Sequence, residues 1–330
     1  MLLTLLLFFC SAIAIYLACD YFVNAIEWCG RHMKLGATAV GSVLAAFGTA
    51  LPESAVTFTA VVLGSTPEQK EIGVGAAMGG PLVLATIAYA VVGLALWRNR
   101  QRLARKDYLV QVDQVRLSQD QLAFLAIFVF KVALGLVAFA YKPYLGLIFL
   151  LAYAVYVWRE INSAETAAEE EELEPLKLRP NSHNWRWAAL QVTLALAVIA
   201  FASHVFVAQL ESLGALLGLS PHLVALLLSP VATELPEIMN TLIWVRQGKE
   251  RLALANISGA MMIQATIPSA LGIFFTPWRF DGPLLASGIV TTIAIVLLWQ
   301  MFRRGHVNCK QLSCIGLLYG VFALGLGLYL

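Results

Sequence analysis

The chain has 330 residues, of which 60% are hydrophobic and 13% charged, with a mean hydropathy of +0.77 and a formal net charge of +2. A soluble domain carries about 25% charged residues, so the composition excludes a soluble globular enzyme and indicates an integral membrane protein. The near-neutral balance, with basic residues gathered beside apolar stretches, also excludes a nucleic-acid partner.

Apolar stretches of spanning length fall at 2–24, 36–64, 71–97, 119–140, 143–158, 185–209, 219–245, 252–276, 283–302 and 311–330, which predicts ten transmembrane helices. The first lacks a basic leader and a small-residue cleavage site, so it reads as a spanning helix. Lys and Arg test this count. Eighteen of the twenty-two sit in alternate loops or at their helix ends, from Arg31 and Lys34 through the cluster at 98–116 to Arg303, Arg304 and Lys310. The other side has only Lys70, Lys142 and Arg279, and Lys131 lies within a helix, where snorkelling toward an interface is expected ahead of pairing with a site carboxylate when the ion leaves. The positive-inside rule then places both termini outside and the basic loops in the cytoplasm, as expected for a protein of the cell (inner) membrane.

One linker, 160–184, separates residues 1–159 from 185–330, five predicted helices on each side. Its run Glu169-Glu170-Glu171-Glu172 reads as a solvated cytoplasmic loop. The five cysteines show no CxxC spacing, and Cys10 and Cys19 read as helix-packing residues. Asp20 and Glu27 read as interfacial.

The stretches 36–64 and 219–245 share an unusual motif. Thr49-Ala50-Leu51-Pro52-Glu53 in the first returns as Thr233-Glu234-Leu235-Pro236-Glu237 in the second. Proline breaks the helical ladder, and a carboxylate at membrane depth costs about 2.5–3.5 kcal/mol even on lenient scales. Residues 79–87 also align with 259–267, sharing Gly79/Gly259 and the Ala-Thr-Ile triplets 85–87 and 265–267. An odd number of helices per half inverts one half relative to the other. The predicted fold is therefore an all-α integral membrane protein of ten helices, arranged as two inverted five-helix repeats. Matched broken helices in inverted repeats place a substrate site at the midplane. The stretch 36–64 holds 29 residues, about 43 Å of helix at 1.5 Å per residue. A break or strong tilt is expected near 48–52.

Thr49 and Glu53, like Thr233 and Glu237, are four residues apart and share a helix face. Together with carbonyls freed by the prolines, they form a hard-oxygen set suited to Ca²⁺ or Na⁺. The plainer alternative has each glutamate protonated, or paired with Lys131 or an asparagine, in a structural role.

The doubled (G/A)TxLPE resembles the two alpha-repeats of the sodium/calcium exchanger (cation/Ca²⁺ antiporter) superfamily, whose signature is GTSLPE followed by GSNxxN. The ten-helix plan and the linker extend the resemblance over the whole chain. It implies a transporter, not an enzyme, with no cofactor, in which Glu53 and Glu237 are central ligands of the transported cation. Thr49 and Thr233 would supply further oxygens. Its partners would be the lipid bilayer and inorganic cations, Ca²⁺ exchanging for Na⁺ or H⁺ by alternating access. Departures are marked. The Ser of GTSLPE is Ala50 in one copy and Glu234 in the other, and the second signature has become Gly79-Gly80-Pro81-Leu82-Val83-Leu84 and Gly259-Ala260-Met261-Met262-Ile263-Gln264. The second half therefore adds Glu234 and Gln264 to the expected site, with Asn240 one turn on. Glu234 beside Glu237 suits a proton-coupled step, which keeps open a proton-coupled exchanger of another cation. The depleted Gly79–Leu84 stretch keeps open a non-transporting or channel-like relative.

Overall fold

The computed structural model describes residues 2–64, 67–103, 107–162, 173–180, 184–216, 218, 227, 229–280 and 282–329. Among these the architecture is all-helical, without strands. Eight helical stretches are long and apolar enough to cross a membrane: Leu2–His32, Gly73–Arg98, Gln114–Leu136, Lys142–Asn162, Trp185–Phe206, Glu250–Phe275, Gly282–Arg303 and Cys309–Leu328. Each matches a predicted stretch. The two absent from this set are the motif-bearing ones, and both are segmented.

The first motif stretch runs as α2 (Ala37–Ala39), a wide π turn (Val40–Ala45), α3 (Ala46–Phe58) and a second π turn (Thr59–Leu63). The break expected at 48–52 is therefore not there, and α3 continues through Pro52. The irregularity moves to the flanks, because a π turn adds a residue to the ladder and lets the helix re-phase around a missing hydrogen bond. In the second motif stretch, α9 (Ser229–Thr233) and α10 (Leu235–Arg246) are separated at Glu234, whose backbone leaves the helix at φ −83°, ψ 1°. Pro236 falls in the first turn of α10, where an N–H has no helical partner to lose. Residues 219–226 and 228, expected to begin this stretch, lie outside the described residues.

α1 (Leu2–His32) and α8 (Trp185–Leu216), the first helix of each half, pack side by side along much of their length. At 31 residues, α1 spans about 46 Å and must tilt in a hydrocarbon core of about 30 Å. The centre is α11 (Glu250–Phe275), buried along most of its length against α3, α10, α4 (Pro67–Val83), α6 (Gln114–Leu136) and α7 (Gly146–Asn162). Two glycines set its neighbours' spacing. A Cβ on Gly259 would lie 2.1 Å from the Ser42 carbonyl oxygen in the first π turn, and one on Gly79 would lie 2.6 Å from the Pro230 ring in α9. The glycines paired by alignment thus play reciprocal parts, each letting a helix of one half touch the motif stretch of the other.

Polar ties gather at the end of the bundle that carries the linker. Glu160 accepts from Ser42 Oγ (2.9 Å) and Arg116 Nη2 (2.8 Å), and Arg159 pairs with Asp120. Asp20 and Glu27, expected at an interface, pair with Lys177 and Lys249. Leu173–Leu178 is strapped across α1 and α8: Trp28 Nε1 donates to the Glu174 carbonyl (2.9 Å), and the Leu178 N–H donates to Gln191 Oε1 (2.8 Å). The acidic run 169–172 lies outside the described residues. Cys19 packs on the motif helix with its thiol toward the Pro236 carbonyl (3.7 Å), whereas Cys10 is exposed on the helix surface.

The Ser42 contact is backbone and cannot swing aside, so Gly259→Val is expected to destabilise the bundle by about 3 kcal/mol or more. Gly320→Ala, where a Cβ meets nothing within 4 Å, is expected to be neutral or slightly stabilising. Thermal unfolding of the purified variants in detergent checks both.

Candidate cation site

Polar side chains gather around the break between α9 and α10, across which the Glu234 N–H still bonds the Pro230 carbonyl and the Ile238 N–H the Glu234 carbonyl. Thr233 Oγ1 donates to the Pro230 carbonyl (3.1 Å), which also accepts the Glu234 N–H (3.1 Å). Glu234 and Glu237 are buried, at 0% and 1% exposure, and so is Gln264 on α11. Gln264 Nε2 donates to Glu234 Oε1 at 2.5 Å. Glu237 lies in the first turn of α10, where the helix dipole favours a carboxylate. The structure therefore joins Glu234 to Gln264 directly and sets Thr233 and Glu237 on either side.

The first motif supplies less. Thr49 is buried and donates its hydroxyl to the Ala45 carbonyl in the preceding π turn (3.0 Å), leaving the oxygen's lone pairs available. Glu53 belongs to α3, which packs on α10 and α11; its side chain, with those of Leu51 and Pro52, lies outside the described residues. The segment Gly79–Leu84 offers backbone oxygens alone.

Two asparagines extend the polar seam beyond Glu237. Asn256 on α11 donates to the Glu237 carbonyl (3.4 Å) and lies 3.5 Å from Thr241 Oγ1. Asn240 is fully buried with neither amide atom hydrogen-bonded, and the Asn256 carbonyl oxygen is likewise without a partner among the described residues. Sequence reasoning noted Asn240 but missed Asn256, whose only signal was an amide in the middle of an apolar stretch. Lys131 departs from expectation. It does not snorkel but is fully buried, with Nζ donating to the Ala77 carbonyl of α4 (2.9 Å) and lying 4.8 Å from the centre of the Phe128 ring.

Among the described residues no three His, Cys, Asp or Glu side chains cluster as a metal centre. The oxygens here are a mixture of carboxylate, amide, hydroxyl and backbone carbonyl. Such a set matches hard, weakly held cations and disfavours thiophilic metals.

The family model for the sodium/calcium exchanger protein matches residues 3–161 and 187–327, nearly the whole chain on either side of the linker. The chain belongs to the sodium/calcium exchanger family. Relatives of this exchanger include the putative antiporter CaxA of Alkalimonas amylolytica, 23% identical over 88% of this chain and 86% of that one. The inner membrane protein YrbG of Escherichia coli K12 is 24% identical over 92% and 90%. Among solved structures, the sodium-calcium exchanger NCX_Mj soaked with Na⁺ and Sr²⁺ superposes with a TM-score of 0.74 at 19% identity, covering 97% of both chains. That likeness establishes a common fold. Family membership makes this exchanger an integral membrane protein of the cation antiporter class.

The Glu234–Gln264 contact can be weighed directly. Gln264→Leu keeps volume but takes a donor from a buried carboxylate, and is expected to cost about 1–3 kcal/mol. The double variant Glu234→Leu/Gln264→Leu, which removes both partners, is expected to recover most of that loss. A double-mutant cycle on thermal stability measures the coupling.

Proposed function

We propose that this protein is a secondary-active antiporter that exchanges Ca²⁺ for Na⁺ or H⁺ by alternating access, with the cation held between the two motif stretches. The observation that carries this reading is the pair of buried carboxylates, Glu234 and Glu237, at a helix break in a chain of the exchanger family. Ten spans in two inverted repeats, 1–159 and 185–330, fit the reciprocal glycine contacts and bring Glu53 of α3 toward the same centre. Both termini would lie outside and the linker 160–184 in the cytoplasm of a cell whose inner membrane holds the protein.

The mechanism is competition for charge. Carboxylates in a medium of low dielectric cannot remain ionised, close together and empty. One set of cations therefore leaves only as another enters, and the unliganded protein does not cross between its inward- and outward-open forms. Glu53 and Glu237 are the central ligands, Thr49 and Thr233 contribute oxygens, and Glu234 with Gln264 completes the second-half side. A divalent ion suits this set because hydroxyl, amide and backbone oxygens complete its coordination around the carboxylates.

Glu234 gives a specific reason to consider a proton as the coupling ion. It adds a carboxylate three residues from Glu237 on the second-half side of the site, a place where a proton can stand in for a metal cation. The Gln264 Nε2 amide donates to Glu234 Oε1, so a change of the ion set at Glu234 is felt directly by α11.

Reconstituted into liposomes, the protein is expected to take up ⁴⁵Ca²⁺ when an outward Na⁺ or H⁺ gradient is imposed. Glu53→Gln and Glu237→Gln are each expected to abolish that uptake while the protein remains folded; uptake at the parental rate by either variant refutes the site assignment. Glu234→Ser should keep transport and flatten its pH dependence. An unchanged pH profile would remove Glu234 from the proton-coupled step.

A further inference from the structure

Close-packed helices leave few voids larger than a water molecule, yet the seam between α1 and α8 holds a groove of about 370 Å³. The face of α1 from Ala14 to Tyr21 forms one wall, and the face of α8 from Gln191 to Val198 forms the other. Leu178 of the strap closes the linker end. Leu17, Leu194 and Val198 in the walls are about half exposed, so the groove opens sideways, away from the bundle. The amide of Gln191 is used inward, on the Leu178 N–H, the Tyr21 carbonyl and Asn24 Oδ1. What remains on the open side is a hydrocarbon surface with the Tyr21 ring at its mouth.

From Ala14 to Tyr21 is roughly 10 Å of helix axis, against the roughly 15 Å of hydrocarbon in one leaflet. Both walls belong to helices long and apolar enough to cross a membrane, so the groove faces acyl chains. Apolarity alone selects nothing at that depth, because the lipid tails outside are as apolar as the walls. Selection has to come from the mouth, where a chain meets its headgroup. There the charges are unequal. Lys177 is neutralised by Asp20 and lies 5.7 Å from the centre of the Tyr21 ring. Arg179, next to Leu178 in the chain, is exposed and has no carboxylate partner among the described residues. Its guanidinium stands 4.6 Å from the centre of the Trp187 ring, and Trp187 is one turn before Gln191 on the same face of α8. An arginine set against an indole keeps its N–H edge free for the paired donation that a phosphate accepts.

We propose that this groove binds an anionic phospholipid of the cytoplasmic leaflet, with one acyl chain between α1 and α8 and the phosphodiester on Arg179. One unpaired guanidinium matches one phosphodiester charge. A choline or ethanolamine headgroup would bring an ammonium into the field of Arg179 and Lys177, whereas a glycerol headgroup adds hydroxyls and no charge. The assignment rests on the topology given above, in which the linker end faces the cytoplasm, and not on which ions are transported. A lipid seated here touches both halves of the chain at once, because α1 opens the first and α8 the second. Its binding therefore stabilises their seam.

The test uses the full chain purified in detergent and two probes with identical acyl chains, phosphatidylglycerol and phosphatidylcholine. Native mass spectrometry measures bound lipid, and thermal unfolding measures the stabilisation. The parental protein is expected to bind one phosphatidylglycerol roughly 5-fold more tightly than phosphatidylcholine and to unfold at a higher temperature with it. Arg179→Gln is expected to remove this preference, and Arg179→Lys to keep it. Ala14→Trp, which fills the deep end of the groove from a half-buried position, is expected to weaken the binding of both lipids. Equal binding of the two lipids by the parent means unselective annular contact and overturns the proposal. So does a preference that survives Arg179→Gln, or undiminished binding by Ala14→Trp. A parental dimer that Ala14→Trp splits would place a second copy of this chain in the groove and overturn it too.

Discussion

Hydrocarbon offers a carboxylate nothing to bind, and this constraint organises the interior of the molecule. Glu234 and Glu237 are tolerable at 0% and 1% exposure only because the surroundings replace water, with an amide from Gln264 and the positive end of α10. Each device has a structural cost. The Glu234 backbone departs from helical geometry, and α11 must approach closely enough for Gln264 to reach. That approach depends in turn on Gly259 lying against the Ser42 backbone.

The same constraint explains why polarity is so unevenly distributed. On the linker-bearing flank, Asp120, Glu160, Arg116 and Arg159 settle one another's charges, and Ser42 of the first π turn is tied into that group. A side chain held there is fixed, because removing either partner strands a buried charge. Deeper in, the arrangement is deliberately incomplete, with Asn240 and the Asn256 oxygen lacking hydrogen bonds among the described residues. Rigid balanced pairs at one end and underused oxygens at the centre are what a machine for passing ions requires.

Much of this was legible from residue types and spacing. Proline next to glutamate in an apolar run marks both motif stretches, and the alignment of Gly79 with Gly259 marks the repeat, although not the close contacts that these two glycines make. Eight of the ten predicted spans appear as long helices because twenty apolar residues in succession leave the chain little choice. The failures also have physical causes. The break or strong tilt expected near 48–52 rests on proline's local chemistry, whereas the helix runs on through Pro52 and places its irregularity in the π turns at Val40–Ala45 and Thr59–Leu63. Lys131 reads from the sequence as a snorkelling side chain or a partner of a site carboxylate, because sequence shows which helix carries it but not which neighbour it faces. Pairings such as Arg159 with Asp120 or Trp28 with Glu174 join segments distant in the chain, and no local pattern encodes them.

The strap formed by Leu173–Leu178 bears on how the chain can be cut. Trp28, Asn24 and Gln191 hold it to α1 and α8 through hydrogen bonds to its backbone, and Lys177 adds an ion pair to Asp20. The strap therefore stays with the second half covalently and with the first half by contact. A chain severed between residues 163 and 172 would leave the two pieces clasped by these bonds and by the long seam between α1 and α8. Covalent continuity there is then a convenience of synthesis and not a requirement of assembly, so the two halves should come together when made as separate polypeptides.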